Sequence, residues 1–237
     1  IMNLNGEWTL RYFDENSNPP DSPAAARRSS ANQVSAMVPG NVELDLARAG
    51  ILPEDLFYAD NILKLRTYES YQWWYEREFI TPDWHDRADT ELVFEGLDCF
   101  ATVWINNIEV GRSANAMVTQ RFNVARALNK TGAVNTLTVR LASPINAVRD
   151  LPLEASGSAN LFHAESMWAR KPAHCYEWDI MPRAVSAGLW RPVFLAEKHA
   201  TEIISLFIET IRLTETTATL SVTVGFRTDL PLQDFSF

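Results

Sequence analysis

Charged, aromatic and imidazole side chains are concentrated between residues 170 and 192, in a stretch with no helical or strand period. Trp178 and Asp179 are adjacent within it. An indole ring can pack against the apolar face of a sugar ring, and a carboxylate beside it can accept hydrogen bonds from sugar hydroxyls. Irregular segments on a rigid scaffold often carry binding residues. Trp178 and Asp179 are therefore candidate binding residues for a polyhydroxylated ligand, against the alternative that they only pack the loop.

The same stretch contains residues suited to holding it in place. Two arginines in it, Arg183 and Arg191, are suited to clamping a carboxylate, but we expect them to pin the loop instead, by pairing with Glu177, Asp179 or backbone carbonyls. The imidazole of His174 is predicted to be a hydrogen-bonded loop residue. The predicted loop-positioning residues are Arg170, His174, Arg183 and Arg191.

Glu177 and Asp179 also raise the hypothesis of a catalytic carboxylate pair. On a strand, residues two apart share a face at roughly 6.6–7 Å, which lies between the separations used in retaining and inverting glycoside hydrolysis. Like charges this close on a short segment are more often solvated or paired with cations, here Arg170, Lys171 or Arg183. We therefore predict no catalytic residue in this chain.

Composition argues against several other classes of protein. The formal net charge of −9 and the absence of a basic stripe argue against binding nucleic acid. The cysteines, Cys99 and Cys175, are too few for a disulfide framework, and His163 and His174 lack ligand-spaced partners, so we predict neither a metal nor a cofactor. No apolar run approaches the roughly 18 residues of a membrane span. A removed signal peptide would leave the same sequence, so the compartment is not assigned.

Many short strands separated by turn residues predict an all-β fold, a jelly-roll β-sandwich with one short helix. That helix is expected over residues 42–49, with Asn41 as its N-cap and Gly50 ending it. Asn106 and Asn107 predict a hairpin turn. Residues 16–32 are expected to form a mobile loop, and residues 144–186 a long irregular stretch. Strands are predicted at residues 7–13, 33–38, 72–80, 91–96, 100–105, 108–111, 134–141 and 190–197.

The pattern changes after Lys198. Residues 201–213 and 217–227 are predicted to be two further strands, which alone would be marginally stable. We therefore predict a first domain over residues 1–198 and the incomplete opening strands of a second, immunoglobulin-like β-sandwich over residues 199–237. Such strands would leave an open edge, so dimerisation through them is also predicted.

Motifs in the first domain follow one another in a recognisable order. The sequence Trp-Trp-Tyr-Glu-Arg-Glu-Phe at residues 73–79 is followed by Phe-Glu-Gly-Leu-Asp at 94–98 and by Ala-Thr-Val-Trp-Ile-Asn at 101–106. Together with residues 4–8, 38–42, 52–55 and 58–61, they resemble the N-terminal, sugar-binding-like domain of family 2 glycoside hydrolases, most of all the β-mannosidase branch. The resemblance covers residues 4–197. The chain carries Ile180 and Met181 where that branch usually has Trp and Gly, which is expected to reshape the loop.

This resemblance implies a galactose-binding-domain-like jelly roll followed by an immunoglobulin-like domain and a (β/α)8 barrel. The barrel would bring the two glutamates for retaining hydrolysis, which must lie about 5–5.5 Å apart. Trp178 would then wall the pocket for the non-reducing sugar, and Asp179 would accept hydrogen bonds from its hydroxyls.

Three functions remain open at this point. The first is a non-catalytic N-terminal domain that completes the pocket of a β-mannosidase-like glycosidase, with a β-mannoside or related oligosaccharide and the catalytic barrel as its partners. The second is a stand-alone, lectin-like carbohydrate-binding module, and the third is a structural spacer. Fold alone does not separate them.

Overall fold

The computed structural model of the 237-residue chain describes residues 1–29, 32–85, 89–152 and 165–231. It divides into two compact units, residues 1–197 and 198–237. The first unit is a β-sandwich of two antiparallel sheets. The strands are β1 (Met2–Asn3), β2 (Gly6–Asp14), β3 (Gln33–Val38), β4 (Tyr71–Ile80), β5 (Thr90–Phe94), β6 (Phe100–Ile105), β7 (Ile108–Ala114), β8 (Gln120–Asn123), β9 (Val134–Ala142) and β10 (Val193–Glu197).

The two sheets differ in size. The larger has the strand order β3-β2-β4-β9-β6-β7 and the smaller the order β1-β10-β5-β8. Side chains from both form one core that includes Leu10, Tyr75, Leu92 and Val139. Four consecutive residues of β4, 72–75, are buried, which agrees with its place inside the larger sheet between β2 and β9. The predicted all-β sandwich is therefore confirmed.

Local signals for a turn and a helix also agree with the structure. Asn106 and Asn107 both have positive φ in the turn between β6 and β7. Helix α2 (Val42–Arg48) begins where the Asn41 side chain accepts a hydrogen bond from the Leu44 N–H. Gly50 follows the C-cap residue Ala49, with a φ of +72° and an N–H that bonds to the Ala47 carbonyl, as expected for a terminating glycine.

The prediction of a single helix was wrong, since the described residues contain two more. Helix α1 (Pro23–Arg28) lies in the stretch expected to be a mobile loop, and its Ala26 packs against the stacked Trp74 and Trp104 on the outer face of the larger sheet. The Pro- and Ser-rich composition of this stretch does not predict a helix, and the burial of Ala26 against the sheet stabilises it. Helix α3 (Pro144–Val148) begins with a cap in which the Ser143 hydroxyl accepts from the Asn146 N–H. Short 3-10 helices span Asn61–Tyr68 and Ala173–Tyr176.

The second unit contains a hairpin of β11 (Thr201–Leu213) and β12 (Ala218–Thr228). The two strands pair antiparallel, with register shifts between Ile203 and Ser205 and between Thr210 and Arg212. Large apolar side chains on the hairpin are exposed, such as Phe207 at 60%. No helix in the described ranges is long and apolar enough to cross a membrane.

Helix α2 is attached to the sandwich through Asp45, which is fully buried. Its Oδ1 accepts hydrogen bonds from the Met37 N–H at 3.0 Å and from Arg48 at 2.5 Å. Burial raises the pKa of Asp45, and the Met37 N–H and the Arg48 charge oppose that rise. This contact ties α2 to β3, and the first turn of α2 also bonds to residues 186 and 187.

Asp45→Ala is expected to lower the free energy of unfolding by about 1–3 kcal/mol, because it leaves the part-buried Met37 N–H without its acceptor. Urea denaturation at pH 7 measures the change. The control Glu54→Ala removes an exposed carboxylate and should shift stability by less than about 0.5 kcal/mol. Equal effects for both variants would contradict the anchoring role of Asp45.

Candidate functional site

The residues predicted to bind lie on an exposed turn. Trp178 and Met181 exchange backbone hydrogen bonds of 3.0 and 3.2 Å, which closes the turn 178–181. The Trp178 side chain is 62% exposed and Asp179 is exposed beside it. The turn follows Glu177, whose φ of +90° is rare for a residue with a side chain. The turn therefore leaves an indole and a carboxylate exposed at adjacent positions.

Arg183 anchors the segment, but not through the carboxylates expected from the sequence. Its guanidinium donates to both oxygens of Glu69, at 2.7 and 2.8 Å, and to Glu165 at 2.8 Å. It also donates to the Tyr176 carbonyl at 3.3 Å. Burial would lower the pKa of Arg183, but the bonds to Glu69 and Glu165 outweigh it and raise the pKa. This bidentate ion pair joins the segment to the residue just after the first 3-10 helix.

The other three predicted loop-positioning residues contribute less through their side chains. Arg170 is exposed, and only its carbonyl is used, accepting from the Ala116 N–H at 2.8 Å. The Arg191 guanidinium stacks on the Trp190 ring at 4.5 Å. His174 is exposed on the second 3-10 helix. Within the described ranges, the side chains of Arg170 and Arg191 form no ion pair, and the His174 ring forms no hydrogen bond.

The hypothesis of a catalytic Glu177–Asp179 pair loses its geometric basis. The two residues do not lie on a strand, since Glu177 caps a 3-10 helix and Asp179 lies in the turn. Glu177 faces Arg66 at 3.5 Å, a different cation from those expected. Nucleophilic chemistry by the cysteines is also disfavoured, because burial raises the pKa of Cys99 to about 12 and raises that of Cys175.

A metal site is not formed by the described residues, among which no three His, Cys, Asp or Glu side chains cluster suitably. His163, considered as a ligand from the sequence, lies outside the described residues.

Sequence reasoning missed the buried charges beneath the segment. Lys171 is 3% exposed, and its ammonium contacts Asp98 Oδ2 and the Ser186 carbonyl, the latter at 2.5 Å. Burial raises the pKa of Asp98, and Lys171 opposes this rise. One signal was available, since Asp98 is a charged residue within the apolar run 97–101. The sequence offers no comparable signal that Lys171 would be its partner.

The far end of the segment is held by backbone contacts. Asp98 and Gly188 exchange hydrogen bonds of 3.0 and 3.3 Å. The Ala187 carbonyl accepts from the Val42 N–H at 2.9 Å, at the start of α2. A Cβ on Gly188 would lie 2.4 Å from the Gly40 carbonyl oxygen, so only glycine permits this approach.

Glu43, on the first turn of α2, contacts this end of the segment and has a shifted pKa. The Ser186 hydroxyl donates to Glu43 Oε2 at 2.8 Å. Burial raises the pKa of Glu43 from 4.5 to about 6, although Ser186 and the charge of Lys171 act in the opposite direction. A raised carboxyl pKa means that the folded state binds a proton more tightly than the unfolded state does.

Glu43 is therefore expected to stabilise the fold fully below pH 4.5 and to lose that contribution as the pH rises through about 6. Its loss amounts to at most about 2 kcal/mol, at 1.36 kcal/mol per pKa unit. In urea titrations, Glu43→Gln should gain stability over the parent protein between pH 4 and pH 7. The exposed control Glu54→Gln should show no such gain, and a pH-independent difference for Glu43→Gln would refute the shift.

Comparison with known proteins gives this site a family context. Residues 8–191 match the family model described as glycosyl hydrolase 2 galactose-binding domain-like. Over 215 residues the chain is 31% identical to β-mannosidase B of Thermothelomyces thermophilus, covering 89% of this chain and 23% of that protein. It is 26% identical over 177 residues to β-mannosidase of Rattus norvegicus, covering 69% of this chain and 19% of that protein.

Solved structures agree on the fold. The crystal structure of β-D-mannosidase from Dictyoglomus thermophilum matches with a TM-score of 0.77 at 24% identity, over 96% of this chain and 26% of that one. The chain thus spans about a quarter of the length of the proteins it matches. Because the family model covers most of the sequence, including the turn 178–181, this chain belongs to the glycosyl hydrolase 2 galactose-binding domain-like family.

Proposed function

We propose that this chain is the non-catalytic N-terminal domain of a retaining, β-mannosidase-like glycosidase, and that Trp178 and Asp179 line its sugar pocket. The exposed turn carries the proposal, because it holds an indole and a carboxylate side by side on an anchored segment. An indole contributes contact area to a sugar ring without large side-chain entropy, and a carboxylate orients its hydroxyls. The relatives named β-mannosidase support a β-mannoside as the substrate.

In this proposal the bond-breaking carboxyl groups come from another part of the full-length protein. Retaining hydrolysis needs two of them about 5–5.5 Å apart, and Glu177 already faces Arg66. The catalytic barrel implied by the family resemblance would supply them. The domain then contributes to substrate affinity and orientation rather than to bond cleavage.

Trp178→Ala in the full-length protein is expected to lower kcat/KM for an aryl β-mannoside by about 10- to 100-fold, since a buried aromatic contact contributes about 1–3 kcal/mol. Steady-state kinetics measure it. Val134→Ala truncates another exposed apolar side chain, at the first residue of β9, and should leave kcat/KM unchanged. An unchanged kcat/KM for Trp178→Ala would favour the role of a structural spacer.

Asp179→Asn should lower kcat/KM by about 10-fold or more, because it weakens charge-assisted hydrogen bonds to sugar hydroxyls. Asp229→Asn, at an exposed carboxylate of the second unit, is the matched control.

The present chain alone, incubated with the same aryl glycoside, should show no turnover. Turnover that disappears in a Glu177→Gln, Asp179→Asn double variant would overturn the non-catalytic assignment.

A lectin-like module is the second candidate, because the same exposed indole suits binding without chemistry. Titration of the chain with mannose or mannobiose separates the two. Saturation at millimolar concentration that Trp178→Ala abolishes would favour the lectin-like module, and absence of binding would favour a pocket completed by the catalytic domain.

We also propose that the hairpin β11–β12 opens an immunoglobulin-like β-sandwich. Its exposed apolar side chains, including Ile203, Phe207 and Val222, need further strands to cover them.

A chain ending at Glu197 should keep the thermal midpoint of the first unit, which has its own core. Light scattering should show a dimer for the 237-residue chain and a monomer for the shortened one. A lower midpoint for the shortened chain would contradict the domain boundary, and a monomer in both would contradict dimerisation.

A further inference from the structure

The cost of burying Lys171 points to a role beyond stability. Its side chain is fully buried, and a buried ammonium persists only where acceptors compensate its lost hydration. The acceptors are Asp98 Oδ2 and the Ser186 carbonyl oxygen. Among the described residues, Lys171 is also the only hydrogen-bond donor to the Asp98 carboxylate, since Asp98 Oδ1 has no partner. The ammonium and the carboxylate therefore depend on each other.

These two acceptors belong to different parts of the fold. Asp98 lies on the connection from β5 to β6, in the scaffold, and Ser186 lies fifteen residues after Lys171 near the far end of the segment. One ammonium therefore closes the segment into a loop and fastens that loop to the sandwich. Asp98 fastens the same end again through its backbone bonds with Gly188.

The turn 178–181 depends on these fastenings. Its two backbone hydrogen bonds are internal to the turn, so they shape it without fixing where it lies. Among the described residues, Lys171 and Arg183 tie the flanking residues to the scaffold through Asp98 and Glu69, and Arg66 pairs with Glu177 just before the turn. Lys171 holds residues 171 and 186, one on each side of the turn, so we expect its loss to loosen the loop between them.

We propose that Lys171 is a positioning residue, which sets the place of Trp178 and Asp179 in the sugar pocket by clamping residues 171 and 186 onto Asp98. The role in substrate binding rests on the proposed function, whereas the clamp itself does not. Lys171 touches no substrate in this proposal and acts only through the loop.

The test uses Lys171→Met in the full-length protein, because methionine keeps the unbranched shape and removes the ammonium. Hydrogen–deuterium exchange without substrate should show peptides from residues 172–187 exchanging about tenfold faster or more, with peptides from β4 and β9 unchanged. Steady-state kinetics on an aryl β-mannoside should show KM raised about tenfold with kcat within about threefold, since the reacting groups lie elsewhere. Lys130→Met, at an exposed lysine, is the matched control and should alter neither.

A double variant separates positioning from folding. Lys171→Met with Asp98→Asn removes both buried charges, so the thermal midpoint should recover towards that of the parent protein. Exchange in residues 172–187 and KM should stay raised, because the bond to the Ser186 carbonyl is still missing. If the thermal midpoint, the exchange rates and KM all returned to the values of the parent protein, the proposal would be overturned and Lys171 would be a purely structural residue.

The outcomes distinguish this inference from the proposed function. Unchanged exchange in both Lys171 variants would overturn the clamp, even if Trp178→Ala still lowers kcat/KM. A second outcome is faster exchange in residues 172–187 of the Lys171 variants with unchanged KM, combined with an unchanged kcat/KM for Trp178→Ala. That result would support the clamp and overturn the binding role of the turn.

Discussion

An ammonium group cannot stay buried without oxygen acceptors, and this requirement organises the end of the sandwich that carries the exposed turn. Lys171 contacts Asp98 and the Ser186 carbonyl, and Ser186 in turn contacts Glu43 on α2. Three separate parts of the chain are thereby brought together around buried charge. Removing one partner of such a pair is costly because the other is left uncompensated. These contacts therefore fix where an irregular segment lies, although it has no strand pairing of its own.

Backbone hydrogen bonding follows the same logic. An irregular segment has no ladder of its own, so its buried N–H and C=O groups must find partners elsewhere. The Arg170 carbonyl accepts a hydrogen bond from the Ala116 N–H, and the Ala187 carbonyl accepts one from the Val42 N–H. Gly188 and Asp98 exchange two backbone hydrogen bonds. Such contacts require close approach of two backbones, which explains the glycine at 188. The sandwich thus supplies fixed backbone groups, and the segment is positioned by its hydrogen bonds to them.

Regular elements could be predicted from the sequence, whereas long-range partners could not. Strand β9 shows its period of two in Leu137, Val139 and Leu141, and the cap at Asn41 marks α2. These signals are local. Arg183 was identified as an anchor, but its partner Glu69 lies 114 residues away, and no spacing rule joins them. Helix α1 was missed for a similar reason, since what stabilises it is a tryptophan pair on distant strands.

The departure at Ile180 and Met181 is easier to understand with the turn in view. Among the described residues of this segment, positive φ falls at Glu177 and not at Met181, so the backbone has no need for glycine at 181. Ile180 is 82% exposed at the tip of the turn, where its side chain supports no core. The shape of the segment is determined at its anchors, and the tip can change without unfolding it. Under the proposed function, substitution at 180 and 181 would therefore alter the sugar contacts of the turn while the scaffold beneath stays the same.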